Sequence, residues 1–296
     1  MKVALCCIVK DENKYLVEYV EHYKSIGFSH IYIYDYNDKN GEHPEEVLQK
    51  YIDEGFVTII DVREVDRPQL AVYQHCYNNY NKDYNWMCFF DADEFLEIRN
   101  SNFNDINELL SQDIYNNYNA IVVNWELYGD NEQLYYNDKP VKERFKKIAN
   151  NNQIKGNIIK IILKCNIDVN IIWDYRIPFS NPHHPYQYLV STNKEENKKN
   201  VLLFPCDSLG NVRNPWAYNI NECMGEQTLI LKHYMTKSTE EWVLRKLTFT
   251  PDFISKLETL NWELFLEEYF AMNKFTMEKF RLIQKMVNEK YGYNRI

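Results

Sequence analysis

The sequence predicts an α/β fold: a mostly parallel, mixed sheet flanked by helices, with a helical C-terminal extension. Three observations point there. Short apolar runs alternate with amphipathic stretches through the first hundred residues, joined by connections that suit right-handed crossovers. The runs are continuous rather than alternating, as in strands covered on both faces. From Ser238 the pattern becomes helical.

VALCCIV, Val3 to Val9, is the first strand. KYLVEYVEHYKSIG follows as a helix, with Leu16, Val17, Val20 and Tyr23 at helical spacing and Gly27 placed to stop it. HIYIYDY, His30 to Tyr36, is the second strand. PEEVLQKYIDEG starts a helix at Pro44, carries two early acids that suit the helix dipole, and ends at Gly55. FVTIID, the helix RPQLAVYQHCYNNYN and the strand WMCFFDAD complete the regular part.

After residue 100 the rhythm loosens. INELLSQDI reads as a short helix, and AIVVNWELY and NIIKIILK as strands. Residues 174–227, rich in Pro, Asn and Asp, read as irregular loops of the kind that make specific contacts. Ser238 with Glu241 forms a capping-box signature ahead of Trp242, Leu244 and Leu247. Phe280, Ile283 and Val287 mark a last amphipathic helix.

The 296 residues are 45% hydrophobic and 26% charged, an ordinary globular composition. A formal charge of −9 argues against a broad nucleic-acid-binding surface, which needs clustered Lys and Arg. Seven cysteines without a CxxC pair point to a reducing compartment and away from zinc. No apolar stretch approaches the ~18 residues of a membrane span. Lys10-Asp11-Glu12 arrives too soon for a signal peptide, so the expected location is cytoplasmic.

The segment WMCFFDADEF, Trp86 to Phe95, places Asp91, Asp93 and Glu94 together at the end of an apolar run. Adjacent carboxylates persist mainly where water or a cation answers their charge. Lys10-Asp11-Glu12, Asp35 and Asp61 end the other strands, and open parallel sheets bind ligands beyond those ends. The segment is read as extended through Asp91 and Asp93. One could then hold a hard cation directly while the other works through water or a substrate hydroxyl. His233, in LILKHYMTKSTEEW, is the separate imidazole; oxygens with one imidazole suit magnesium or manganese better than zinc. The plainer alternatives are a solvated turn for the acids and a core position for His233.

These segments resemble the bacterial glycosyltransferases of the GT-A fold, between families 2 and 92. The match runs in order through CCIVKDENKYLVEYVEHYKSIGFSHIYIYDYND, RPQLAVYQHC, WMCFFDADEFLEI, NWELYGDN, VKERFKK, SNPHHP and LKHYMTKSTEEW, to about residue 240. The resemblance implies transfer of a hexose from a nucleotide sugar, a UDP-hexose, to an acceptor hydroxyl of a cell-surface glycan or glycolipid, with inversion. It places the DxD motif on Asp91 and Asp93 and a third ligand to Mn2+ (or Mg2+) on His233. It sets Lys237 and Lys160 toward the diphosphate, Asp35 at the nucleoside, and Val9, Lys10, Glu12 and Gln69 around the nucleotide pocket. His183 of SNPHHP, beside His184, would meet donor sugar or acceptor. The implied organisation is a catalytic domain over 1–237, its nucleotide half about 1–100 and its acceptor half about 101–237, with the extension at 238–296.

An acceptor hydroxyl has a high pKa and needs a general base, typically a contribution of ~10²–10⁴-fold in rate. Asp130 in NWELYGDN is the expected base, with Glu126 and Glu94 as alternatives and a Gly-Asp-Asn turn as the plain reading. Arg144 is expected to pair with an acid. The rival functions are a metal-dependent hydrolase or phosphotransferase, and a non-catalytic carbohydrate- or nucleotide-sugar-binding protein that keeps the fold. Residues 271–296 hold six Lys or Arg against two Glu, which raises a weak peripheral membrane contact beside a packed helix with a solvated basic face.

Overall fold

The computed structural model describes residues 1–66, 68–149, 158–167, 169–173, 183, 186–189, 205–211, 227–248 and 262–291. The chain forms two compact units, Met1–Trp125 with Asn157–Leu231, and Glu126–Gly156 with Lys232–Ile296.

The first unit runs β1 (Val3–Val9), α1 (Asn13–Ser25), β2 (His30–Asp35), α2 (Glu45–Asp53), β3 (Val57–Asp61), α3 (Gln69–Tyr80), β4 (Trp86–Phe89), β5 (Glu94–Ile98) and α4 (Ile106–Leu110). Strand β6 (Ala120–Leu127) runs on into the second unit, where α5 (Val141–Arg144) is a single turn. Back in the first unit are β7 (Ile159–Lys164), β8 (Val169–Ile172), β9 (Tyr186–Leu189) and β10 (Pro205–Cys206). Strand β11 (Leu229–His233) leads out again to α6 (Thr239–Thr248), α7 (Trp262–Met272) and α8 (Met277–Tyr291).

The sheet order is β3-β2-β1-β4-β7-β6-β11-β5, with β10 beside β6 and β8–β9 as a separate antiparallel pair. Strands β1 to β4 pair in parallel, and the expected α/β class is the one observed. Their register puts Val9 opposite Asp35, Asp35 opposite Asp61, and Cys6 opposite Phe89. The carboxyl ends of four strands therefore share one edge, and β7 enters antiparallel between β4 and β6.

Helix α3 packs Leu70, Val72, Tyr73, Cys76 and Tyr77 over Cys6, Tyr34, Phe89 and Ile161. On α1, Tyr19 and Tyr23 are buried, and the Tyr23 hydroxyl donates to the Glu94 carbonyl at 2.8 Å. Gly27 ends α1 at φ +89, where a Cβ would lie 2.1 Å from the Asp105 carboxylate. Asp105 needs that space, because its side chain caps α4 through the Asn107 N–H at 2.6 Å. The six cysteines among the described residues are buried free thiols, the small-hydrophobe role expected of Cys6, Cys7 and Cys88.

Three local expectations need correction. Strand β4 stops at Phe89, and a second strand, β5, starts at Glu94. Asp91 and Asp93 thus lie on a turn, closed by the Glu94 N–H donating to the Asp91 carbonyl at 3.0 Å. The extended geometry imagined for the DxD pair does not occur. The stretch 174–227 is also not wholly irregular, since β9 and β10 fall inside it; most of its other residues, His184 included, lie outside the described ones.

In the second unit, Trp242, Val243, Leu247, Phe265, Tyr269, Ile283 and Val287 form one apolar core from α6, α7 and α8. The capping box ahead of α6 is reciprocal: the Ser238 N–H donates to Glu241 Oε2 at 3.0 Å, and the Glu241 N–H to Ser238 Oγ at 3.3 Å. Glu241 also receives both terminal nitrogens of Arg144, each at 2.8 Å, and both side chains are buried. That bidentate pair answers the question of Arg144's acid and ties α5 to α6.

Candidate functional site

Asp91 follows β4 at the carboxyl edge of the sheet, and three donors from two elements converge on its carboxylate. Gln69 and Tyr73, one turn apart on α3, reach Oδ1 at 3.4 and 3.2 Å. Lys160 of β7 reaches Oδ2 at 2.9 Å. Asp93 and Glu94 are buried beside it, and Glu94 Oε2 accepts the Asp91 N–H at 2.8 Å. The Lys160 ammonium is 3.6 Å from the same Glu94 oxygen.

Charge balance follows from burial. Desolvation lifts the Glu94 carboxyl well above the usual carboxylate range, against the pull of Lys160. Burial also works against the charge on Lys160, but Asp91 and Glu94 outweigh it and hold its pKa well above the usual lysine value. Burial, then the Asp91 charge, pushes the Tyr73 hydroxyl up, so it stays a donor. Lys160 was expected to face a diphosphate. Its fully buried side chain instead faces the acids, because β7 places it beside the turn that carries them.

The residues suit a hard cation. The donors are carboxylate oxygens, 29% of the Asp91 side chain is exposed, and an ammonium already stands on its inner oxygen. Another group, Asp35, His43 and Glu45, brings ligand atoms within 4.8 Å of one another. There the Arg63 guanidinium fills the cation's place, with Nη2 bound to Asp35 and 3.1 Å from His43 Nδ1.

Asp35 itself is spoken for. Its Oδ1 accepts the Asn37 N–H at 3.0 Å and the Asn37 amide at 2.7 Å; its Oδ2 accepts Arg63 Nε at 2.9 Å and Nη2 at 2.5 Å. A carboxylate has about four lone-pair sites. The expected nucleoside contact is therefore corrected to a brace: Arg63 also donates to the carbonyls of Asp38 and Glu42 at 2.9 and 2.7 Å, fixing the loop after β2.

The loop after β1 is bound to the same brace. Lys10 pairs with Asp38 at 2.7 Å and lies over the Tyr36 ring. The Asp11 N–H donates to Asn37 Oδ1 at 2.7 Å, holding Asp11 at φ 57. Val9 and Glu12 are buried at this rim. Elsewhere in the unit, His183 Nδ1 lies 2.9 Å from the Ile159 carbonyl, so that nitrogen carries the proton. The ring meets Trp125 edge-on at 5.2 Å.

In the second unit, His233 is buried and its carbonyl accepts the Tyr128 N–H at 3.0 Å. Lys237 is buried with φ 52, a conformation that costs a non-glycine residue of order 1 kcal/mol or more. Asp130 is not placed as a base open to a hydroxyl. Its Oδ2 takes the Tyr269 hydroxyl at 2.5 Å and the Lys279 ammonium at 2.6 Å, its Oδ1 takes the Glu132 N–H at 2.8 Å, and its side chain is 4% exposed. Glu126, at the end of β6, accepts the Tyr128 hydroxyl at 2.9 Å.

The sequence model described as glycosyltransferase family 92 matches residues 2–234. The chain belongs to glycosyltransferase family 92. The matched region takes in the whole edge described for the first unit. A curated relative, galactan β-1,4-galactosyltransferase of Arabidopsis thaliana, is 37% identical over 70 residues, which is 21% of this chain and 14% of that one. The chain therefore aligns with a small part of that relative's length. Among solved structures, S. aureus TarS 1-349 in complex with UDP overlays 46% of this chain and 38% of its own, at 12% identity and a TM-score of 0.32. The mannosyltransferase PcManGT of Pyrobaculum calidifontis, in complex with GDP-Man and Mn2+, overlays 41% and 35%, at 10% identity and a TM-score of 0.29.

Sequence reasoning about this family 92 chain missed Tyr73, Arg63, Tyr269 and Lys279. Tyr73 was the findable one, since it lies four residues after Gln69 on a predicted helix and so shares its face.

Proposed function

We propose that this family 92 glycosyltransferase moves a hexose from a nucleotide sugar, a UDP-hexose, to a hydroxyl of a cell-surface glycan, with a divalent cation and with inversion. One observation carries the reading. At the carboxyl edge of the parallel strands, Asp91 is held rigidly from within by Gln69, Tyr73 and Lys160 while part of its carboxylate faces out. A rigid oxygen donor at that edge is what a cation-bound diphosphate needs.

Asp91 and Asp93 are the residues that would hold Mn2+ or Mg2+, and the resemblance adds His233. A bound divalent ion supplies charge stabilisation for the departing diphosphate. The braced loops after β1 and β2 bind the nucleoside through their backbone and Lys10, with Asp35 and Arg63 setting their shape. Gln69 orients Asp91. His183, its Nδ1 proton committed to Ile159, is the residue that the resemblance sets toward the donor sugar or acceptor. Lys237 contributes its charge to the diphosphate.

Asp130 is engaged by Lys279 and Tyr269, and Glu94 lies buried against Lys160. Glu126, which accepts the Tyr128 hydroxyl on Oε1, is the base we assign. It would take the acceptor hydroxyl's proton as the new glycosidic bond forms. The test is UDP release and product formation from UDP-hexoses with candidate acceptor glycans, in Mn2+ and after chelation. Asp91→Asn should abolish turnover. Glu126→Gln should lower kcat by ~10²–10⁴-fold with UDP affinity kept. Full activity after chelation, or in Asp91→Asn, would sink the proposal.

A further inference from the structure

Strand β7 reads Ile-Lys-Ile-Ile-Leu-Lys, and its Lys160 lies between β4 and β6 in register with Val123. A lysine in the middle of a buried strand is costly, because desolvating an ammonium takes several kcal/mol even after relaxation. The structure places two carboxyl groups on it, Asp91 at 2.9 Å and Glu94 at 3.6 Å. Its side chain is 1% exposed, so no ligand reaches the ammonium while this packing holds. Whatever Lys160 does for the outer face of the site, it does through Asp91.

Building on the metal-dependent reading above, we infer that Lys160 is a resident cation on Asp91 that weakens divalent-ion binding and makes it depend on the nucleotide's own charge. Two cations on one carboxylate repel, and that repulsion is strong where water is excluded. With Lys160 fixed on Oδ2, Asp91 offers an incoming ion a largely neutralised oxygen pair. The diphosphate brings the negative charge that restores the balance. Lys160 also offsets the mutual repulsion of the two acids it contacts, Asp91 and Glu94. It is a positioning residue for the ion and not one that touches substrate.

The test is calorimetric titration of the full-length protein with Mn2+, alone and with saturating UDP. The proteins compared are the wild type, Lys160→Met, Lys160→Met/Glu94→Gln and Asp91→Asn. The double variant removes the buried acid that would be left without its partner, and keeps the test open if the single variant does not fold. In the absence of UDP, either folded lysine variant should bind Mn2+ at least about tenfold more tightly than the wild type. The gain from adding UDP should shrink, and Asp91→Asn should lose binding. A lysine that only held the fold together would give weaker binding when removed. Wild-type binding that is unchanged or weakened in the lysine variants overturns this inference alone. No Mn2+ binding in any protein with UDP present overturns the metal-dependent reading and this inference with it.

Discussion

Lys279 and Asp130 form a buried ion pair, Nζ to Oδ2 at 2.6 Å, that fastens the last helix to the turn after β6. Tyr269 from α7 joins the same oxygen, and Asn273 accepts the Asp130 N–H at 2.7 Å. The matched family region ends at residue 234, yet three residues beyond it hold this turn.

Removing one member should therefore cost far more than a surface pair would. Lys279→Met leaves a carboxylate buried without its counter-ion, and such losses run about 3–5 kcal/mol. Urea denaturation should show that drop. Lys279→Met/Asp130→Asn should recover part of it, because neither charge is then stranded. The folded double variant should keep transferase turnover, as Asp130 serves the fold. A loss below about 1 kcal/mol for Lys279→Met would mean the pair is solvated.

The regular half of the fold was legible because its signals were local. Continuous apolar runs, the glycines after α1 and α2 and the Ser238–Glu241 spacing each act within a few residues. The break between β4 and β5 was hidden because Phe-Phe-Asp-Ala-Asp-Glu-Phe reads as one apolar run with acids in it. What turns the chain there is Glu94, whose carboxylate receives the Asp91 N–H. In the site, Asp91, Gln69 and Lys160 were visible as chemistry, but not which of them meet. The partner of Lys160 depends on β7 inserting antiparallel beside β4, a pairing between strands about seventy residues apart. Asp35 and Asp130 were misread for the same reason. An acid at a strand end looks available until the arginine or lysine that takes it is known.

Arg63 gives the second prediction. Its guanidinium joins Asp35 to the carbonyls of Asp38 and Glu42, and the Arg63 and Asp35 side chains are almost fully covered. Arg63→Met should free the loop after β2 and with it the Lys10–Asp38 contact. UDP affinity, read by calorimetry, should fall at least about tenfold, the scale of a lost preorganised contact. Arg63→Lys should not restore it, since an ammonium cannot span the fork of acceptors that the guanidinium reaches. UDP binding unchanged in Arg63→Met would show that this loop is not part of the nucleotide pocket.

His30 supplies a pH dependence at the opposite end of β2. Its Nδ1 lies 3.0 Å from the Gly55 carbonyl, which can only accept, so Nδ1 carries the proton and Nε2 of the neutral ring accepts from the Thr58 hydroxyl at 2.9 Å. Burial lowers its pKa, with the Gly55 hydrogen bond opposing the shift. The unfolded chain, with an ordinary value of about 6.5, then binds the proton more readily than the folded one. Linkage makes stability rise with pH wherever the unfolded state holds more protons. The His30 contribution is thus fully present above about pH 6.5 and is lost as the pH falls through the lower folded value. Urea midpoints of the wild type between pH 7.5 and 5.5 should decline more steeply than those of His30→Gln, whose amide can serve both Gly55 and Thr58 at every pH. Parallel declines in the two proteins would assign the slope to other groups and show that His30 is solvated in the folded state.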